Sequence, residues 1–226
     1  MTPQFLVLQH IDVEHPGIFR EFMREEGVRW DMVELDQGEA IPDVSDYDAL
    51  IVMGGPMDVW EEDAHGWLAQ EKTAIRTVVN ELERPYLGIC LGAQMLARQL
   101  GGKVQSNSDG SVEIGWYPLH ATEHGRLLMK WPSMVYQFHR EGFELPHGAE
   151  LLASGDLYPN QAFRYGEKAY AVQFHAELTR AMMQRWVVHG ASRFSLPQAQ
   201  AGHLHLEGRM LHDRALKAWL SEFLDI

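Results

Sequence analysis

Residues 85–100, "PYLGICLGAQMLARQL", read as a short apolar strand, a Gly-Ile-Cys-Leu-Gly turn and then a helix. That order is the nucleophile-elbow arrangement G-x-S-x-G with Cys in place of Ser. Gly88 and Gly92 stand two residues either side of Cys90, where side chains would obstruct the close approach of strand and helix. The turn presents Cys90 outward at a helix N-terminus, where unpaired N–H groups and the helix dipole favour a thiolate. Cys90 is the only cysteine in the chain. A lone cysteine is ordinarily a small core hydrophobe, so only its neighbours can give it a chemical role.

Outward from this turn the chain alternates. Upstream, "QFLVLQH" (4–10), "VRWDMVEL" (28–35) and "YDALIVMGG" (47–55) read as buried strands. "PGIFREFMREEG" (16–27) and "GWLAQEKTAIRTVVNELER" (66–84) have helical periodicity between them. Such alternation predicts a parallel sheet covered by helices. Downstream, from 103 to 175, "VEIGWYPLHAT", "MVYQFHREGFEL", "AELLAS", "QAFRYG" and "AYAVQFH" are short strand candidates separated by turn residues, expected to form a mixed extension and a hairpin. "TRAMMQRWVVHG" and "EGRMLHDRALKAWLSEFL" read as closing helices. In the second, Met210, Leu211, Arg214, Ala215, Ala218 and Leu220 or Phe223 are the expected packing positions.

With 226 residues and 46% hydrophobic content, the chain can bury the core of one large domain, 1–226, with a C-terminal helical extension from about 190. The formal charge of −13 and the lack of a Lys/Arg cluster argue against nucleic acid as a partner. One cysteine forms no internal disulfide, the start "MTPQFLVLQHIDVEHPG" has no basic leader with a long apolar run, and no apolar stretch approaches a membrane span. A soluble cytoplasmic protein without membrane contact is the expectation. The 12 histidines, "HLH" at 203–205 included, follow no metal-ligand spacing, so no metal is expected.

Two further segments bear on Cys90. In "AYAVQFHAEL", an extended backbone would point His175 and Glu177 to the same side and Ala176 away. An imidazole beside a carboxylate suits a base with its orienting group: His175 takes the thiol proton and later protonates a leaving amine, while Glu177 stabilises the imidazolium. In "ALIVMGGPMDVW", a strand ends in Gly54-Gly55-Pro56, and Pro56 has no N–H to offer. Gly55 is then the plausible donor which, with the Leu91 N–H, forms a two-donor hole for an oxyanion.

Together "MGGP", "GICLGAQ" and "VQFHAE" resemble the class I, triad-type glutamine amidotransferases, particularly the glutaminase domain of GMP synthase and its stand-alone relatives. "VEIGWYPL" and "FHREGFELPHGAELLAS" add secondary similarity. The resemblance runs from the first strand to the helix after His175. It implies a flavodoxin-like open, mostly parallel α/β sheet with helices on both faces, and a small antiparallel extension. It also implies a Cys90-His175-Glu177 triad that hydrolyses glutamine through a γ-glutamyl thioester, releasing ammonia without a cofactor. Gln94, one turn after Cys90 on the same helix face, becomes a substrate contact, and His139 a second one.

The chain also departs from that family. His139 is followed by Arg140-Glu141 where relatives commonly carry Gly-Asp, and Ala176 stands where Pro is usual. GMP synthases continue into an ATP-dependent domain, whereas no ATP-binding glycine loop is visible here. The ammonia acceptor is then expected to be a separate synthetase subunit. A γ-glutamyl peptidase using the same thioester chemistry is the alternative, which the Arg140-Glu141 departure favours. An alternative of another class is a non-catalytic binding or regulatory subunit, against which the joint presence of Cys90, His175 and Glu177 weighs. A flavodoxin-like thiol hydrolase of other specificity is a third, for which the GGP and QFHAE motifs are not expected.

Overall fold

The computed structural model describes residues 2–224. In chain order its elements are β1 (Gln4–Gln9), α1 (Phe19–Glu25), β2 (Arg29–Glu34), β3 (Ala49–Val52), α2 (Trp67–Arg76), β4 (Tyr86–Ile89) and α3 (Leu91–Gln99). Then come β5 (Val104–Ser106), β6 (Glu113–Pro118), β7 (His120–Ala121), α4 (Glu123–Leu128), β8 (Met134–His139) and β9 (Glu141–Phe143). The chain finishes with β10 (Ala149–Ser154), β11 (Ala162–Tyr165), β12 (Ala169–Val172), α5 (Arg180–His189) and α6 (Gly202–Leu224).

The main sheet has eight strands in the order β2-β1-β3-β4-β12-β11-β10-β7. The first five pair in parallel, and β11, β10 and β7 continue the sheet antiparallel. Taking the parallel strands alone, the order is the flavodoxin one, 2-1-3-4-5, with β12 as the fifth. Side chains that alternate along β1 explain the helices on both faces: Leu6 and Leu8 join the core with α2 and α3, while Val7 joins the core with Phe19 and Met23 of α1. Two small antiparallel pairs, β5 with β9 and β6 with β8, form the predicted extension.

Several boundaries differ from the sequence reading. The first helix begins only at Phe19, because Gly17 takes φ +52° and the Ile18 N–H bonds the Glu177 carbonyl at 2.9 Å. The second ends as α2 at Arg76 and continues as a π-turn through Glu81. The last helix starts at Gly202, so His203 and His205 lie inside it. Its buried face also corrects the expectation: Met210 and Leu211 are 88% and 77% exposed, and Arg214, Ala215 and Ala218 face solvent. The expected Leu220 and Phe223 are buried, and the other buried positions are His205, Arg209, Leu216 and Trp219. Two polar residues anchor that face and hide it from hydropathy: His205 Nδ1 pairs with the Tyr136 hydroxyl at 2.8 Å, and Arg209 donates to the Leu178 carbonyl at 3.0 Å. α6 contributes Trp219 and Phe223 to the core cluster that holds Phe174, next to His175.

Candidate active site

The site lies at the C-terminal ends of β1, β3, β4 and β12, where open α/β sheets place their ligands. Cys90 follows β4 with φ +51° and ψ −103°, a backbone conformation unusual for a residue with a side chain, and α3 starts at the next residue. The Cys90 N–H bonds the Val172 carbonyl at 2.9 Å, tying the turn to β12. A Cβ at Gly88 would lie 2.6 Å from the Gly92 carbonyl, and one at Gly92 would lie 2.8 Å from Val52 Cγ1, so both glycines are required by the contact of helix and strands.

The structure brings His175 and Glu177 to Cys90, though not by the expected route. β12 ends at Val172, so both residues stand in a bend beyond the strand rather than on one strand face. The His175 N–H bonds the Tyr136 carbonyl at 2.9 Å, and the Trp186 ring meets the imidazole edge-on at 4.8 Å between centroids. His175 Nδ1 donates to Glu177 Oε1 at 2.7 Å, which directs Nε2 to the thiol. All three side chains are buried.

Burial disfavours charge on the His175 ring, but the Glu177 carboxylate and the Cys90 sulfur outweigh it and hold the pKa well above the ordinary histidine value. For Cys90 the expected lowering does not hold: burial pushes the thiol up, and the interaction with His175 offsets this only in part. The two groups are thus buried side by side and compete for the same proton.

Gly54 and Gly55 follow β3. A Cβ at Gly54 would lie 2.9 Å from His175 Cε1, and one at Gly55 would lie 2.9 Å from Leu91 Cδ2. Among the described residues neither the Gly55 nor the Leu91 N–H has a hydrogen-bond acceptor. Gly55, Cys90, Gln94 and His139 line one cavity of about 20 Å³, roughly enough for one water, whose wall includes Phe138, Arg140 and Arg193. The Gln94 carboxamide donates to the Glu141 carbonyl at 2.9 Å and to Gln173 Oε1 at 3.2 Å. Both ring nitrogens of His139 are engaged inside the protein, Nδ1 by the Glu141 carbonyl at 2.8 Å and Nε2 by Glu113 at 2.9 Å. His139 therefore offers the cavity a ring edge rather than a free nitrogen. A larger surface hollow of about 730 Å³, lined by Arg84, Glu167 and Lys168 among others, lies at the opposite ends of β4 and β12.

Three residues near the site were not anticipated. Glu14 lies against Gly54, and burial raises its carboxyl pKa, with His175 and His10 opposing. His10 bonds the Gly54 carbonyl at 2.7 Å. Arg193, in the segment 191–195 between α5 and α6, stacks its guanidinium over Phe138 at 5.7 Å. The available signal was positional: "HIDVEHPG" follows β1 where it reaches the ligand-bearing edge of the sheet.

Residues 17–188 match the family model for glutamine amidotransferase class-I, and the chain belongs to that family. It is 33% identical over 196 residues to the glutamine-hydrolyzing GMP synthase of Azoarcus sp., a match covering 80% of this chain but 35% of that protein. It is 28% identical over 183 residues to gamma-glutamyl peptidase 5 of Arabidopsis thaliana, covering 74% of this chain and 69% of the peptidase. The crystal structure of a glutamine amidotransferase from Thermotoga maritima superposes with a TM-score of 0.90 at 30% identity, covering 100% of this chain and 97% of that one. No helix among the described residues is long and apolar enough to cross a membrane.

Proposed function

We propose that the chain hydrolyses the γ-glutamyl amide of glutamine through a thioester on Cys90. The observation carrying this reading is the relay itself, a buried thiol at the start of α3, facing an imidazole whose far nitrogen is 2.7 Å from a carboxylate. His175 takes the thiol proton and Sγ attacks the amide carbon. The resulting oxyanion lies between the N–H groups of Gly55 and Leu91, where losing one donor typically costs about 2.7–4 kcal/mol. Collapse breaks the C–N bond, His175 gives its proton to the departing nitrogen, and ammonia leaves. Water, deprotonated by His175, then cleaves the thioester to glutamate and restores the thiol. Glu177 holds the ring and stabilises its charged form, and Gln94 and His139 line the side-chain pocket. The ammonia passes to a separate synthetase subunit.

A second reading has a specific observation behind it. Arg140, at the β8–β9 turn, reaches Asp58 across the cavity wall at 3.6 Å, and the family similarity extends to a plant protein named as a γ-glutamyl peptidase. In that reading the leaving group is the amine of a γ-glutamyl peptide. Intact-protein mass spectrometry with glutamine and glutathione in parallel separates the two. An acyl adduct on Cys90 and glutamate release with glutamine support the first reading; turnover of glutathione alone replaces it with the second. Failure of both donors, and of a glutamine-analogue electrophile, to modify Cys90 would favour a non-catalytic subunit.

A further inference from the structure

His10 and Glu71 form a second buried pair beside the site, and neither is hydrogen-bonded to Cys90, His175 or Glu177. His10 follows β1, Glu71 projects from α2, and both are 0% exposed. The His10 ring donates from Nδ1 to the Gly54 carbonyl at 2.7 Å and from Nε2 to Glu71 Oε1 at 2.9 Å. Trp67 stacks on the ring at 5.4 Å between centroids. Burial opposes a charged ring here, but the Glu71 carboxylate and the Gly54 carbonyl raise the pKa above the ordinary histidine value, so both ring nitrogens keep their protons. A buried ion pair is a poor device for stability alone, because desolvation offsets most of the attraction.

What the pair touches gives it a purpose. Packing demands glycine at both 54 and 55, since side chains would meet Glu14, His175, Leu91 and His10. Two adjacent glycines leave the peptide between them free to rotate with little steric resistance. Its two ends are coupled: in a trans peptide the Gly54 carbonyl and the Gly55 N–H point in opposite directions. Anchoring the carbonyl on His10 therefore aims the Gly55 N–H away from His10, on the side where Gly55 and Cys90 share the cavity wall.

We propose that His10 and Glu71 are positioning residues that lock the Gly54–Gly55 peptide in the orientation that receives the oxyanion, an inference that rests on the thioester reading above. His10 holds the carbonyl and Glu71 holds the ring, as a carboxylate orients a histidine in other polar relays. The ring lies behind the peptide and so also polarises the N–H that faces the substrate.

The test uses the full chain in two variants. His10→Asn keeps an amide donor near the place of Nδ1. The double change His10→Met with Glu71→Leu removes the lock without leaving a buried carboxylate unpaired. The double variant should lose about 10²–10³-fold in kcat, the range for an oxyanion donor, with KM for the γ-glutamyl donor changed by less than about threefold. Alkylation of Cys90 by iodoacetamide should stay within about threefold of wild type, because the nucleophile and its base are untouched. His10→Asn should recover at least about tenfold of the lost kcat. Crystal structures should show the 54–55 peptide rotated in the double variant and retained in His10→Asn. An unrotated peptide in the folded double variant overturns the inference, and so does a loss of alkylation equal to the loss of kcat. Absence of any thioester in the wild type would defeat the proposed reaction instead, while the crystallographic comparison would still decide the peptide's orientation.

Discussion

Cys90 is held at φ +51° and ψ −103°, a conformation that strains a residue carrying a side chain. Strain of this kind typically amounts to about 1–3 kcal/mol, comparable to what burial of a thiol side chain supplies. Cys90→Gly should therefore be at least as stable as Cys90→Ala in urea titrations although it buries less, and both should lose thioester formation entirely. A Cys90→Ala protein with near-normal turnover would end the covalent mechanism. Glu177→Gln tests the charge relay. The folded pKa of His175 is raised, with Glu177 the leading contribution against burial. Without the carboxylate, burial acts on the ring with less opposition. The NMR titration of the His175 ring should then fall toward or below about 6.5. An unmoved titration would mean that Glu177 does not set the protonation of the ring. Of the residues here, Cys90, His175 and Glu177 were legible because their types and spacings are rare in combination. His10 and Glu71 were not, because they meet across 61 positions of sequence and His10 meets a backbone carbonyl, contacts with no periodicity to betray them.

At the scale of elements, the elbow depends on how closely α3 approaches β3 and β4. A methyl group on Gly92 would collide with the Val52 carbonyl oxygen and sit 2.8 Å from Val52 Cγ1, and neither can retreat because β3 is paired on both edges. Gly92→Ala should cost about 1–3 kcal/mol, the usual penalty of overpacking, and should lower the rate of Cys90 acylation as α3 tilts away. Unchanged thermal stability and acylation would show that the helix has slack. The alternation of strands and helices up to α3 was readable because parallel strands and amphipathic helices repeat with different periods. The β12 boundary was not. "AYAVQFH" sets the β-prone Tyr170, Val172 and Phe174 at alternate positions, yet the strand stops at Val172, and the next residues turn toward β8, where the Tyr136 carbonyl takes the His175 N–H. His175 and Glu177 pair nonetheless, because both lie in the same bend.

For the whole molecule, the closing helix and the balance of protons matter most. Trp219, Leu220 and Phe223 of α6 complete the core behind Phe174, so a chain ending at residue 201 should lose cooperative unfolding altogether. A cooperative melt of the truncated chain would show α6 to be dispensable. His10, His175, Cys90 and Glu14 all have folded pKa values raised above their ordinary ones. Each binds its proton more tightly when folded, so its stabilisation is present below the unfolded pKa and lost as pH rises through the folded value. For His10 and His175 that loss begins above about pH 6.5, so stability in urea should fall as pH rises through the window above that value, and the net charge of −13 acts in the same direction. Stability that rises over this window would contradict the protonation states assigned to the site. The acidic balance was plain in the sequence, but its concentration of proton-binding groups at one edge of the sheet follows only from the topology.

The hollow next to Cys90, about 20 Å³, is far smaller than any γ-glutamyl compound. A γ-glutamyl donor that binds there has to displace part of the wall, to which Phe138, Arg140 and Arg193 belong. If that displacement limits capture, the association rate constant should lie well below the diffusional ceiling and respond weakly to solvent viscosity, so that the tempo of capture belongs to the fold rather than to the encounter.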